Sequence, residues 1–143
     1  MIERYELYGA GRATNLPNPH DFVIKQISMQ DEFLVLEFED DISRHDAAAY
    51  YHPEAKHLKI RYHMLFDDDD SPEFVLFKGE QRKYEWVYIL LKQKRLFDLP
   101  KDGNPKLEYL HTYVGSGVII DMCKFDAYRL ELDADYVEYE WTE

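Results

Sequence analysis

The sequence predicts a mainly β fold: an antiparallel barrel or sandwich of about eight strands, with a C-terminal four-strand meander and at most one short helix. Three observations carry this. Strand-length segments with period-two alternation recur along the chain, and only one stretch favours helix. Twelve Tyr, eight Phe and two Trp accompany 29 Asp and Glu, whereas an acidic chain that stays unfolded lacks aromatics to bury. Finally, Gly115-Ser116-Gly117 joins two apolar runs, which is a hairpin signal.

The elements follow in order. Phe22 to Met29 is rich in β-branched and aromatic residues, and Phe33 to Glu39 places Leu34, Leu36 and Phe38 on one face. Ser43 to Tyr51 is the helix candidate, with Ser43 as cap, Ala47-Ala48-Ala49 favouring helix and Pro53 ending it. Leu58, Ile60, Tyr62 and Met64 share one strand face, and His57, Lys59, Arg61 and His63 share the other. Asp67 to Asp70, followed by Ser71-Pro72, is a solvated loop, because adjacent carboxylates repel. Phe74 to Lys78 is a short strand. Tyr84 to Leu91 is apolar on both faces, as a central strand or buried helix would be, and its aromatic and β-branched content favours strand. Leu99 to Pro105 is turn-rich.

Leu107 to Val114 and Val118 to Phe125 flank the Gly-bearing link. Tyr128, Leu130 and Leu132 then alternate, and Val137, Tyr139 and Trp141 alternate out of phase with them, so a turn lies near residue 134. These four runs compose the predicted meander.

Length fits one domain over residues 1–143. The one cysteine, Cys123, has no internal partner, which fits a reducing compartment. The acidic N-terminal segment does not resemble a secretory signal, and no apolar run approaches the roughly 20 residues of a membrane helix. The expectation is a cytoplasmic protein with no membrane contact. A net charge of −12 disfavours nucleic acid as a partner and favours a basic protein. The charge is segregated. Residues 1–72 carry 15 acids and 7 bases, residues 73–106 carry 5 and 8, and residues 107–143 carry 9 and 2. The basic middle is expected to pair with the acidic ends inside the fold.

No motif specifies catalysis. His45, His52, His57 and His63 lack the spacing of adjacent metal ligands, and Lys59 and Arg61 lie between the last two. These are read as ordinary surface histidines. His20-Asp21 and His45-Asp46 are adjacent in sequence, but neighbouring strand residues face opposite ways. Cys123 is read as a core residue. The acidic run lacks the Gly and Glu of a calcium loop, since Pro72 and Lys78 occupy those positions. Gly9-Ala10-Gly11 lacks the third glycine of a dinucleotide fingerprint. No catalytic residue, metal ligand or cofactor is therefore assigned. Lys78, Arg82, Lys83, Lys92, Lys94 and Arg95 surround Tyr84, Trp86 and Tyr88; exposed, such a set suits single-stranded nucleic acid, but these aromatics are read as core.

The functional expectation is a non-catalytic binding protein whose acidic, aromatic surface meets a basic macromolecular partner, as an immunity protein or inhibitor would. The contact is placed on the C-terminal tail, at Tyr136, Glu138, Tyr139, Glu140 and Trp141, since Tyr and Trp are enriched at binding hot spots. The alternatives are a small-ligand-binding barrel or sandwich with an aromatic-lined cavity, a small enzyme using scattered His and carboxylates, and self-association through an edge strand.

Overall fold

A computed structural model describes all residues, 1–143. The protein is mainly β: ten antiparallel strands in one open sheet, with two short helices. The strands are β1 (Ile2–Glu6), β2 (Val23–Gln30), β3 (Phe33–Phe38), β4 (His57–Met64), β5 (Phe74–Arg82), β6 (Glu85–Leu91), β7 (Leu107–Val114), β8 (Val118–Lys124), β9 (Asp126–Leu132) and β10 (Ala134–Thr142). Helix α1 is Asp46–Tyr51 and α2 is Arg95–Asp98. The spatial order is β1-β10-β4-β3-β2-β7-β8-β9-β5-β6.

The sheet has two halves joined narrowly. Strands β2 and β7 pair only at Val23 with Glu108 and Ile24 with Leu107. Register shifts next to this joint, between Ile24 and Gln26 on β2 and between Tyr109 and His111 on β7, bend both strands. The inner faces of the two halves supply one cluster of 30 buried residues, among them Leu36, Tyr62 and Tyr139 from the first half and Tyr109, Ile120 and Leu130 from the second. The alternation read from the sequence is the alternation that builds this core.

Five details differ from expectation. The charged segment β1 forms a strand although its sequence has no apolar alternation; it is held by backbone pairing with β10. Helix α1 has its N-cap at His45 rather than at Ser43, because Ser43 is captured by Asp41, which accepts from its backbone N (2.9 Å) and its Oγ (2.6 Å). The four-residue α2 was not foreseen; it buries Leu96. The meander keeps three strands, β7-β8-β9, while β10 crosses to the other half and lies between β1 and β4. The phase break near residue 134 is therefore a change of sheet half, not a hairpin. Lastly, β6 is an edge strand, not a covered central one.

Phe125 links β8 to β9 at φ 63° with its ring 87 % exposed. A bulky residue in the left-handed region is strained, and this one gains little by burial. Phe125→Gly is expected to stabilise the fold by about 1 kcal/mol, read from urea unfolding. An unchanged or lower midpoint would show that the ring contributes packing that outweighs the strain.

Candidate functional site

The tail residues do not form one surface. Tyr139 and Trp141 are 0 % and 2 % exposed and belong to the core, because β10 is an interior strand and the face they share with Val137 turns inward. Tyr136, Glu138 and Glu140 face outward, half-buried. That outer face of the first half is a paired ladder. Lys59 meets Glu37 at 3.4 Å, Arg61 meets Glu140 at 3.1 Å, and His63 joins Asp135 (2.6 Å) and Glu32 (2.8 Å). Tyr136 carries the Arg4 guanidinium 3.6 Å from its ring centroid and stacks on His63 at 4.7 Å and 8°. Charges and aromatics here satisfy one another within the fold.

Three of the histidines read as ordinary are in fact engaged. Besides His63, the half-buried His45 contacts Glu39 at 3.0 Å and stacks on Phe22, and His52 contacts Glu3 at 3.2 Å. His20 reaches Asp21 at 2.9 Å, because Asp21 sits at φ 71° in a turn rather than on a strand. For His63, burial alone would lower the pKa, but hydrogen bonds to Asp135 and Glu32 and their charges outweigh it and raise it above the ordinary value. Stability from this clamp is complete below the unfolded imidazole's pKa and is lost as pH rises through the higher folded pKa. His63→Gln is therefore expected to lower the melting temperature at about pH 5.5 and much less at about pH 9. An equal loss at both would show that packing on Tyr136, not charge, is what His63 contributes.

The outer face of the second half is of another kind. Register places Val75 and Phe77 on β5, Trp86, Tyr88 and Leu90 on β6, Ile119 on β8 and Tyr113 on β7 all on the solvent side. Tyr113, Trp86, Tyr88 and Leu90 are 49 %, 48 %, 41 % and 64 % exposed. The charged residues of β9 divide this face: Glu131 stands between Val75 and Ile119, and Arg129, beside Phe77, is bidentate on Asp121 (2.8 and 3.2 Å) and lies over the Tyr88 ring at 4.7 Å. A solvent-facing sheet face normally alternates to polar residues; the apolar strip of Phe77, Leu90, Tyr88 and Trp86 on β5 and β6 departs from that and marks an interaction surface.

This face ends in an acidic concavity of about 680 Å³. Asp67, Glu73, Glu131 and Asp133 line it together with Val75, Ile119 and the Gly115–Gly117 turn, and no Lys, Arg or His does. Three chain segments interlock to position the acids. Leu65 N donates to Asp133 O (3.0 Å), Asp133 N to Glu73 O (3.0 Å) and Glu73 N to Leu65 O (2.8 Å). Asp67 is fixed by accepting from the backbone N of Asp69 (2.9 Å) and Ser71 (3.0 Å). Gly117 allows the turn to close on this corner, since a Cβ there would lie 2.8 Å from Asp133 Oδ1 and 2.9 Å from Leu132 O.

None of the four carboxylates is in an ion pair. The crowding of acids registers on Glu73 itself and on Tyr8 nearby. Burial raises the Glu73 carboxyl, as do its hydrogen bond with Asp133 and the charges of Asp133, Asp67 and Asp68. Tyr8, brought in from the first half, is raised by burial and then by Asp133, Glu73 and Asp135. The acids do not converge as a metal site would: no three His, Cys, Asp or Glu side chains meet to hold an ion. The arrangement suits a cation spread over several atoms, such as a guanidinium or ammonium on a larger partner.

Elsewhere, Cys123 lies half-buried on the outer face of β8 rather than in the core, because Val118, Ile120 and Met122 take the inner positions. The basic middle does not pair with the acidic ends as expected. Only Lys78 does so, with Asp126 at 3.5 Å; Arg82 turns to Glu80 and Lys101 to Asp98. The aromatics Tyr84, Trp86 and Tyr88 are exposed, not core. No helix is long and apolar enough to cross a membrane. Comparison with protein-family models, curated proteins and solved structures finds no match to the chain.

Sequence reasoning missed Glu73 and Glu131, which no motif distinguishes among 29 acids. Asp133 was flagged only indirectly, by the phase break that marks the corner.

Proposed function

We propose that the protein is a non-catalytic binding protein that receives a basic macromolecular partner, in the manner of an immunity protein or inhibitor, through the acidic concavity and the apolar face beside it. One observation carries this reading: four unpaired carboxylates share a concavity containing no base, at the end of an exposed apolar sheet face. Carboxylates held together without counter-charges are destabilising to the free protein and are relieved by a cation from outside. The apolar residues Val75 and Ile119, on the same wall, supply the desolvated contact that lets an ion pair add affinity rather than be screened by water. The partner contact thus lies at the corner between β5, β8 and β9 rather than on β10.

The test is a selection of random dodecapeptides displayed on phage. The expected outcome is enrichment of Lys or Arg next to aromatic or aliphatic residues, with binding that weakens as salt rises. Selected peptides without basic enrichment, or none at all, would contradict the proposal.

A further inference from the structure

We infer that the unpaired edge of β6 is a second, separate docking site, which accepts an extended segment of a partner protein as an eleventh strand, apolar at alternate positions and acidic at both ends. This goes beyond the acidic concavity and does not depend on it.

The sheet is open, so it has two edges, β1 and β6. Edge strands expose unpaired backbone N–H and C=O groups, and proteins usually blunt them with charges, proline, bulges or shortness. The edge at β1 is blunted: five residues, of which Glu3, Arg4 and Glu6 are charged. The edge at β6 is not. It runs Glu85–Leu91 with one charge at its start, has no proline, and pairs with β5 in unbroken register from Arg82–Glu85 to Leu76–Leu91. Beyond Lys78, β5 has no β9 partner, so residues 79–88 form an arm held only by its own two strands. Trp86 lies across Gly79, where any Cβ would collide with the indole, so the ring covers the arm's outer face at that point. The edge is thus apolar, unblunted and paired without a bulge on its inner side, as strand addition requires.

Charge selects the occupant. Lys83, Lys92, Lys94 and Arg95 bracket the strand, and none is in an ion pair. A second copy of this chain is a poor fit. Two-fold pairing of β6 with itself about Val87, Tyr88 or Ile89 brings Lys83 of one copy beside Lys92, Lys94 or Arg95 of the other, cation against cation. Single-stranded nucleic acid would match the cations and the exposed rings, but not the chain's net charge of −12 or the aliphatic Leu90 and Val87 along the edge. An acidic-flanked β segment satisfies the backbone, the apolar side chains and the cations together.

The test uses two synthetic nine-residue peptides with the same alternating valine–threonine core, one with two glutamates at each end and one with two lysines. Fluorescence anisotropy is expected to show binding of the glutamate-flanked peptide at least about tenfold tighter than its twin. Hydrogen exchange should slow on β6 amides when it binds. Leu90→Lys, at a site 64 % exposed, should abolish binding without changing the melting temperature. Lys92→Glu with Lys94→Glu should invert the preference. Glu73→Gln with Asp133→Asn should leave this binding intact, which separates it from the concavity. Equal or absent binding of the two peptides would overturn the inference. So would a dimer in sedimentation analysis that Leu90→Lys dissolves, or displacement of the peptide by oligothymidylate at lower concentration than by its own unlabelled form.

Discussion

Tyr139→Phe is expected to leave stability unchanged or raise it by about 1 kcal/mol, while Tyr139→Ala is expected to cost about 3–5 kcal/mol. Tyr139, Tyr62 and Tyr109 are each 0 % exposed and meet at the centre of the core, two from the first half of the sheet and one from the second. Tyr109 bonds its hydroxyl to Thr112. The hydroxyls of Tyr62 and Tyr139 lie beside one another and beside that of Tyr109, and neither closes a hydrogen bond of standard geometry. Burial pushes all three phenols up, Tyr109 to about 12, so all three remain neutral at any pH at which the protein is studied. The rings therefore hold the halves together, and the hydroxyls of Tyr62 and Tyr139 add little to them. Tyr62→Phe should behave like Tyr139→Phe. A loss above about 1 kcal/mol for either Phe variant, in urea unfolding, would show that its hydroxyl is satisfied after all.

The second large effect joins stability to binding. Neutralising the corner by Glu73→Gln and Asp133→Asn should weaken selected basic peptides on the order of 100-fold, since hydrogen bonds to a charged group contribute about 1.5–3 kcal/mol each. The same variant should melt higher than the wild type at neutral pH. The sign follows from Glu73. A carboxyl whose folded pKa is raised binds its proton more tightly in the folded state, so stability falls as pH rises through that pKa. The gain of the variant should thus be present at neutral pH and vanish in acid, where the wild-type carboxyl is protonated. Residues that serve only the fold lose stability when altered. A variant that melts lower and still binds would place these acids in the structure and not in the site.

How far the sequence could be read depends on what each residue answers to. Alternation on β3, β4, β8 and β9 was legible because a residue's own face decides its burial, and Leu34, Ile60, Ile120 and Leu130 are all core. The inward placement of Tyr139 and Trp141 was legible too, since the alternation that sets them opposite Glu138 and Glu140 turns them to the core. The position of β6 was illegible in principle. Apolar residues on both faces suit a covered central strand and an interface edge equally, and only strand order separates the two. The destination of β10 was hidden for the same reason, because a phase break marks a corner without saying where the chain goes next. The acidic corner is built by Leu65, Glu73 and Asp133 from three distant segments, and each is unremarkable locally.

The measurement that tests the central claim most directly is a titration of isotope-labelled protein with a selected basic peptide, followed by backbone amide shifts. The account predicts changes concentrated at Glu73, Val75, Gly115 to Ile119 and Glu131 to Asp133, absent in the Glu73→Gln, Asp133→Asn variant. Changes centred instead on Lys59, Arg61, Glu138 and Glu140, across the paired ladder of β4 and β10, would contradict it.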